Sequence, residues 1–485
     1  MPDHWQIVLE AAGALLLLLV AGWSRLRRPG YAFGRWLRRL AASPAKALVL
    51  FFALGAGVTA ASFLAFGPPI PKVTDEFGHL LVADTSLHGR LANPGHPMWR
   101  HFDIYALQFP AYASKYPPGQ GALLALGGLF GSKALGLCLG AGLLAAAMAW
   151  AFLRWLRPSW ALLGAFLVLL RLAIGSYWHQ TYWGGTAAAI GGALLFGALA
   201  PGRRPRPGLA AGGLALLAFS RPFEGLVVAI PCAFVLLRRW LATKPIGWRE
   251  PAVMAAILLP AALFLLYSNW RITGDALLFP QAGYVTAYSG EPDLIFQPQL
   301  GEFAGQQQRA PMRAGALAAS LTPGPPRPWI GEFLAAAPSR LVRSLYFYLG
   351  LAGSLAFLLG LAGRAPRHGL PLAALALGAL AQGLPTFYFP HHASPLTFVF
   401  WFFCLEGARR AALARWLAGP AKGRRPGWRL ALLLALAELL ATAIRFPGLR
   451  PPPGDGSRQR AAMEEQIAAL PGRHLMIVEP RSLTD

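Results

Sequence analysis

Long apolar runs alternate with short polar or basic stretches along almost the whole chain. A helix of about 20 apolar residues crosses the hydrocarbon core of a bilayer, and a packed bundle accepts shorter ones. The pattern therefore predicts about twelve membrane-spanning helices. These predicted spans lie near residues 7–22, 47–66, 133–153, 159–176, 186–200, 208–219, 225–240, 251–270, 343–362, 369–389, 395–411 and 428–446. The runs at 186–200 and 208–219 are short, so a helical pair that does not fully cross is an alternative there.

Composition places the chain among integral membrane proteins rather than soluble or disordered ones. Of its 485 residues, 55% are hydrophobic and only 13% are charged, whereas an ordinary soluble domain has about 25% charged residues. The formal net charge is +24, but the basic residues lie between apolar runs, not on a solvated face with aromatic stacking partners. We predict an all-α polytopic membrane protein and expect no nucleic-acid partner.

Charge also predicts which loops lie in the cytoplasm. No lysine or arginine precedes the first apolar run and several arginines follow it, so we interpret it as a retained helix with its N-terminus outside. Alternating the spans from there places the basic loops inside, with almost no acid beyond Glu250. Most acids and histidines then fall in two long outer loops, 67–120 and 271–343, where we expect any chemistry. They are Asp75, Glu76, His79, Asp84, His88, His96, His101, Asp103, Asp275, Glu291, Asp293, Glu302 and Glu332, joined by Lys115.

Two regions differ in composition. Residues 1–447 are predicted to form the transmembrane domain, and 448–485 a small extracytoplasmic tail. The tail begins with a Pro- and Gly-rich linker, continues as a helix over Arg458–Leu470 and ends with a short strand at His474–Glu479. It is too small to bury a core alone, so we expect it to dock on the outer face of the membrane domain.

Neither a cofactor nor a metal is predicted. The cysteines Cys138, Cys232 and Cys404 each lie in an apolar run without paired spacing, which indicates packing rather than a disulfide or zinc site. The chain has no HExxH, P-loop or GxSxG motif. His79 with Asp75 is the alternative metal pair.

The first outer loop carries the clearest candidate chemistry. The acid pair Asp75-Glu76 follows the second span, and the loop ends at Lys115-Tyr116-Pro117-Pro118. An acid pair just above a bilayer is well placed to keep one carboxylate basic and oriented. The alternatives are an ordinary solvated acid pair and a lysine that snorkels at the interface.

Three further clusters are predicted at outer helix ends. Arg221 and Glu224 form either a functional charged pair or an ion pair that shapes the bundle. His391 and His392 can donate hydrogen bonds to a phosphate or cap a helix. The aromatic turn 177–185 is a sugar-stacking platform or an interfacial aromatic belt, and contains Tyr182 and Trp183.

The position of the acid pair and the Lys-Tyr-Pro-Pro sequence resemble the GT-C superfamily of membrane glycosyltransferases, which includes the protein O-mannosyltransferases and the lipid A aminoarabinose transferase. The motifs Asp75-Glu-Phe-Gly-His79, Tyr182-Trp-Gly-Gly185, Ser220-Arg-Pro-Phe-Glu-Gly225 and Asn269-Trp-Arg-Ile-Thr-Gly274 are similar to a bacterial branch of unsettled substrate. This chain departs from the pattern in its extra N-terminal helix, its small C-terminal part and His392.

The resemblance implies a GT-C-like bundle in a bacterial plasma (inner) membrane, with juxtamembrane helices in the first outer loop and the active site on the periplasmic side. It also implies a polyprenyl-phosphate sugar donor, inversion at the anomeric carbon, and a glycolipid, glycan or protein acceptor. We expect Asp75 to be the base and Glu76 its orienting or backup partner. The expected phosphate-binding residues are Lys115, Arg221, His391 and His392, and the expected substrate contacts are Tyr116, His79, Tyr182, Trp183 and Glu224.

Two other functions remain open on the sequence. A transporter or lipid flippase needs charged residues along a path inside the membrane, for which Arg171 and Glu438 are the main candidates. A catalytically silent scaffold with the same fold is the third possibility.

Overall fold

The computed structural model describes residues 12, 27–99, 105–242, 247–285, 292–297, 329–363, 365–413, 428–449 and 456–472. Apart from Ala12, the predicted first span lies outside these residues, as do His101, Asp103, Glu291, Glu302 and the predicted strand at His474–Glu479.

Helices make up about three quarters of the described structure. The first half contains α1 (Arg27–Ala41), α2 (Pro44–Phe66), α3 (Thr74–Leu87), α4 (Pro118–Gly128), α5 (Lys133–Trp155), α6 (Pro158–Val168), α7 (Thr186–Ala198) and α8 (Pro207–Ala218). The second half contains α9 (Pro222–Ala242), α10 (Arg249–Thr273), α11 (Pro280–Tyr284), α12 (Trp329–Leu361), α13 (Gly369–Ala381), α14 (Thr397–Leu413), α15 (Trp428–Arg445) and α16 (Gly456–Ala469). A π-helical turn (Leu169–Ile174) extends α6, and short 3-10 helices lie at Tyr177–His179, Pro366–His368, Pro390–Leu396 and Phe446–Leu449. The strands β1 (Asn93–Pro94) and β2 (Ala111–Tyr112) pair antiparallel between α3 and α4.

Length and surface chemistry identify a multi-pass membrane protein. Within the described residues, six helices are long and apolar enough to cross a bilayer: α2, α5, α9, α10, α12 and the helix that begins with α15. Their outer faces expose large apolar side chains, such as Leu64 on α2, Phe234 on α9 and Leu259 on α10. A large exposed apolar surface is unfavourable in water and favourable against lipid. The predicted all-α membrane class is therefore confirmed.

Every other predicted span coincides with a helix, but several helix ends differ from the predicted bounds and one further helix is present. The basic stretch after the first predicted span forms α1, because one helical face buries Leu37 and Gly34 while its arginines stay exposed. Helix α12 begins at Trp329, inside the predicted second outer loop. Helix α13 ends at Ala381, before the end of the predicted run at 389.

Glycines allow the central helices to pack closely. A Cβ at Gly360 of α12 would overlap the Phe403 carbonyl oxygen of α14, and one at Gly407 of α14 would overlap the Ala356 carbonyl oxygen. Helices α4 and α5 meet in the same way at Gly127 and Gly136. Small residues that let backbones approach are the usual means of helix association in lipid.

A buried ion pair joins α6, α12 and α15. Arg171 lies in the π-helical turn, with its Nη1 3.6 Å from a carboxylate oxygen of Glu438. Its guanidinium also donates to the Phe347 carbonyl at 2.8 Å and to the Tyr346 carbonyl. These carbonyls lie just before Gly350, where φ is +63° and the helical geometry of α12 is interrupted. The pair thus stabilises a helix break by supplying donors to backbone carbonyls.

The tail contacts the membrane domain beside the first loop. Arg460 of α16 donates to the Pro71 carbonyl at 2.7 Å, and its guanidinium lies 4.6 Å from the centre of the Phe77 ring. The predicted tail helix is confirmed, one or two residues from its expected bounds.

Candidate functional site

Backbone and side-chain hydrogen bonds bring four distant segments together at one end of the bundle. The Gly119 N–H donates to the Phe219 carbonyl at 2.6 Å, which joins the first turn of α4, at the end of the first loop, to the C-terminus of α8. The Tyr177 hydroxyl lies 2.7 Å from His391 Nδ1, which joins the aromatic turn to the Pro390–Leu396 helix. All of the site residues predicted from the sequence lie in this region.

Glu76 is held entirely by backbone donors. Its Oε1 accepts from the N–H groups of Lys72 at 2.9 Å and Val73 at 3.3 Å, and its Oε2 accepts from Tyr182 at 2.9 Å. Val73 occupies the N-cap of α3 and has no side-chain oxygen, so the side-chain cap consists of Glu76 accepting from the N-cap N–H and from the N–H before it. Burial raises the pKa of Glu76, and these hydrogen bonds lower it. The carboxylate therefore fixes the loop and, unlike Asp75, has both oxygens engaged.

Asp75, on the first turn of the same helix, is half-buried and bound by a tyrosine. Its Oδ1 accepts from the Tyr116 hydroxyl at 2.5 Å. The Tyr116 ring packs over Gly78, where a Cβ would lie 2.6 Å from the ring. Burial and the neighbouring Asp75 raise the pKa of Tyr116, so it acts as a neutral donor. Tyr116 holds one carboxylate oxygen and leaves the other for a further partner.

Lys115 is a buried cation surrounded by tyrosine rings. Its Nζ lies 3.5 Å from the ring centre of Tyr105, 4.2 Å from that of Tyr284 and 5.2 Å from that of Tyr116. Burial lowers the pKa of Lys115 to about 8, while Asp75 and Asp293 act in the opposite direction. In the described part of the chain, no carboxylate lies within ion-pair distance of Lys115.

Arg221 lies at the start of α9 with three histidines near it. Among the described residues, its guanidinium has neither an ion-pair nor a hydrogen-bond partner. Burial, and after it the charge of Arg221, lowers the pKa of His79 to about 3 and the pKa of His391 and His392 well below the ordinary value. The three imidazoles are therefore neutral at pH 7, and each has one N–H donor.

Two imidazole nitrogens beside Arg221 lack a partner. His79 Nδ1 and His392 Nδ1 are buried and make no hydrogen bond to any described residue. Glu224 lies 3.6 Å from His392 Nδ1, which is beyond hydrogen-bond distance. A buried polar atom without a partner is unusual in a protein and often faces water or a ligand. The predicted Arg221–Glu224 ion pair is not formed, since Glu224 lies beside His392 instead.

The aromatic turn divides its side chains between the core and the site. The Tyr182 ring is buried in an apolar cluster with Leu124 and Leu137, so its backbone N–H, bonded to Glu76, is its link to the site. Trp183 contacts the rings of His391 at 4.7 Å and Phe389 at 4.9 Å. A sugar-stacking role for these two residues stays a prediction.

Sequence reasoning missed Tyr105 and Tyr284 and gave Asp293 no role. These residues contribute to the surroundings of Lys115, and the Asp293 carboxylate accepts from Gln281 at 3.3 Å. Tyrosines in both long loops were the available signal, but their pairing depends on the tertiary fold. Across the described ranges, no three His, Cys, Asp or Glu side chains are grouped closely enough to hold a metal ion.

Comparisons of the chain with family models, with curated proteins and with solved structures found no match.

Replacing Glu76 by glutamine will destabilise the fold. The new NH2 group cannot accept from a backbone N–H, so at least one buried hydrogen bond is lost and its donor is left unpaired, at about 2–3 kcal/mol. Unfolding of the purified protein in mixed detergent micelles measures this loss. Asp75→Asn is the matched control, since it removes the same charge one residue away and keeps the oxygen that Tyr116 binds. Equal stability of the Glu76→Gln variant and the wild-type protein would show that the carboxylate does not anchor the loop.

Proposed function

We propose that the protein is a GT-C-like membrane glycosyltransferase that moves a sugar from a polyprenyl-phosphate donor to an acceptor hydroxyl with inversion. The observation that supports this most strongly is the grouping of Arg221, free of any described counter-ion, with His79, His391 and His392. A cation with neutral N–H donors around it suits a phosphate, whose negative charge grows as its bond to the sugar breaks.

Asp75 is the proposed base. It accepts the proton of the acceptor hydroxyl, whose oxygen forms a bond to the anomeric carbon. The bond from that carbon to the phosphate oxygen breaks, and its electron pair leaves with polyprenyl phosphate. Attack on the face opposite the leaving group inverts the carbon. Tyr116 holds Asp75 through the 2.5 Å hydrogen bond, so the free oxygen is the one that takes the proton.

Lys115 and Arg221 have different proposed roles. Lys115 is almost fully buried under Tyr105 and Tyr284. The negative charges of Asp75 and Asp293 favour its protonated form. Arg221 is more exposed and stands among unpartnered donors. We assign Arg221, with His391 and His392, to the donor phosphate, and Lys115 to balancing the charge beside Asp75.

The proposed setting is the plasma membrane of a bacterium, with about twelve spans and the site on the periplasmic side. The basic residues of α1 and of the loop after α7 support this orientation, since they lie at the bundle end opposite Asp75. The transporter alternative has less support. Its candidates, Arg171 and Glu438, contact each other and the backbone of α12.

Asp75→Asn will lower the rate of donor turnover by about 10²–10⁴-fold, because an amide cannot take the acceptor proton. The assay follows release of polyprenyl phosphate from a panel of polyprenyl-phosphate-linked hexoses, pentoses and aminopentoses. The protein is reconstituted in nanodiscs, with a total membrane extract as the source of acceptor.

Asp84→Asn is the control. Asp84 lies on the same helix as Asp75 but pairs with Lys133, away from the site. Full turnover in Asp75→Asn would exclude Asp75 as the base. A wild-type protein that neither turns over nor binds any panel member would favour the silent scaffold.

Turnover will fall as pH rises above about 8, where Lys115 loses its proton. Lys115 is fully protonated well below that pH, so turnover is expected to be lost only on the alkaline side. Lys115→Arg keeps a cation throughout this range and is expected to remove the alkaline fall. If turnover of the Lys115→Arg variant falls over the same pH range as that of the wild-type protein, another group causes the alkaline loss.

A further inference from the structure

The structure contains a basic cavity far from the candidate site. It has a volume of about 610 Å³ and opens at the other end of α2 and α6, between α1, α6, α14 and α15. A smaller cavity of about 130 Å³ adjoins it, and Arg157, Trp160 and Arg409 line both. A volume of several hundred Å³ is typical of small-ligand sites.

The larger cavity has more positive charge than its surroundings neutralise. Arg38, Arg157 and Arg409 line it. Among the described residues, Arg38 and Arg157 have no ion-pair or hydrogen-bond partner. Glu406, which lines the adjoining cavity, already accepts from Arg367 at 2.8 Å and Arg409 at 3.1 Å.

The cavity also offers donors that have no partner among the described residues. The Nε of Arg409 is buried without a hydrogen-bond partner in the described structure. Ser159 lines the cavity, is 7% exposed, and its hydroxyl bonds to no described residue. Arginine forks with nearby hydroxyl donors are well suited to a phosphodiester.

The walls suit a ligand that has an apolar part. Trp160 and Trp428 stack at 5.1 Å beside the arginines. Tyr31 is 52% exposed at the rim, and Trp36 is 48% exposed on the same helix. Tryptophan and tyrosine favour the level of lipid headgroups, and a basic amphipathic helix such as α1 favours the membrane surface. The cavity wall is well defined, because Gly34 of α1 packs directly on Trp428.

We propose that this cavity binds the headgroup of an anionic phospholipid, with the phosphodiester at Arg38, Arg157 and Arg409 and the acyl chains along the exposed apolar faces of the bundle. A diacyl phosphatidylglycerol has the required chemistry. Basic pockets between membrane helices bind such headgroups. The proposal is independent of the transferase site, since the two share no residue.

Native mass spectrometry of the full chain, titrated with phosphatidylglycerol or with phosphatidylcholine of the same acyl chains, tests the proposal. The wild-type protein is expected to bind the anionic lipid more tightly. The double variant R38Q/R157Q should bind it roughly 30-fold more weakly, since each interfacial arginine contributes about fivefold. The control R39Q/R203Q removes the same charge from exposed arginines outside the cavity and should bind like the wild-type protein.

A second variant keeps the charge and fills the space. Ala42 lines the cavity and is exposed, so Ala42→Trp should block the headgroup without disturbing the core. Three results would overturn the proposal: equal binding of the two lipids, equal losses in both double variants, or wild-type binding in Ala42→Trp. Displacement of the lipid by equimolar glycerol phosphate would also overturn it, because the site would then recognise a free phosphate.

Discussion

The geometry of the candidate site depends on one carboxylate, that of Glu76. It accepts backbone hydrogen bonds from the residues just before α3 and from Tyr182 in the aromatic turn. Because a buried carboxylate must be compensated by donors, these segments cannot separate without exposing an unpaired charge. Asp75 is the neighbour of this anchor, so its position relative to Tyr116 and the aromatic turn is set by Glu76. The acid pair thus divides into one structural and one accessible carboxylate.

The same end of the bundle combines fixed cations with neutral donors. Burial keeps His79, His391 and His392 uncharged at pH 7, so Arg221 is not opposed by three further positive charges. Asp75 and Tyr116 are linked electrostatically to both cations, since the charge of Arg221 lowers the pKa of Tyr116 and that of Asp75 raises the pKa of Lys115. The proposed pair of substrates, a donor with a negative phosphate and an acceptor with a nucleophilic hydroxyl, matches that arrangement better than a purely cationic or apolar ligand does.

Sequence reasoning was most successful where physical periodicity or sidedness determines the structure. Apolar runs located the helices, and charge asymmetry gathered Asp75, Lys115, Arg221 and the His391-His392 pair at one end. It did not predict which acid is structural, because the role of Glu76 is set by a backbone N–H at Tyr182, far along the chain. It also missed the tyrosines around Lys115 and the break at Gly350, since both arise from packing between distant helices. Sequence reasoning identified Arg27–Ala41 only as a basic loop and did not predict that it forms the amphipathic helix α1.

The most direct measurement is a cryo-electron microscopy structure of the nanodisc-embedded protein with a polyprenyl monophosphate, the product of the proposed reaction. We predict phosphate density within about 4 Å of the Arg221 guanidinium, next to His391 or His392, with the isoprenoid chain leaving between helices toward the lipid. The free oxygen of Asp75 should face the open side of that phosphate. Phosphate bound elsewhere, or protein atoms that cover these donors when the lipid is present, would contradict the proposed role of Arg221 and the histidines.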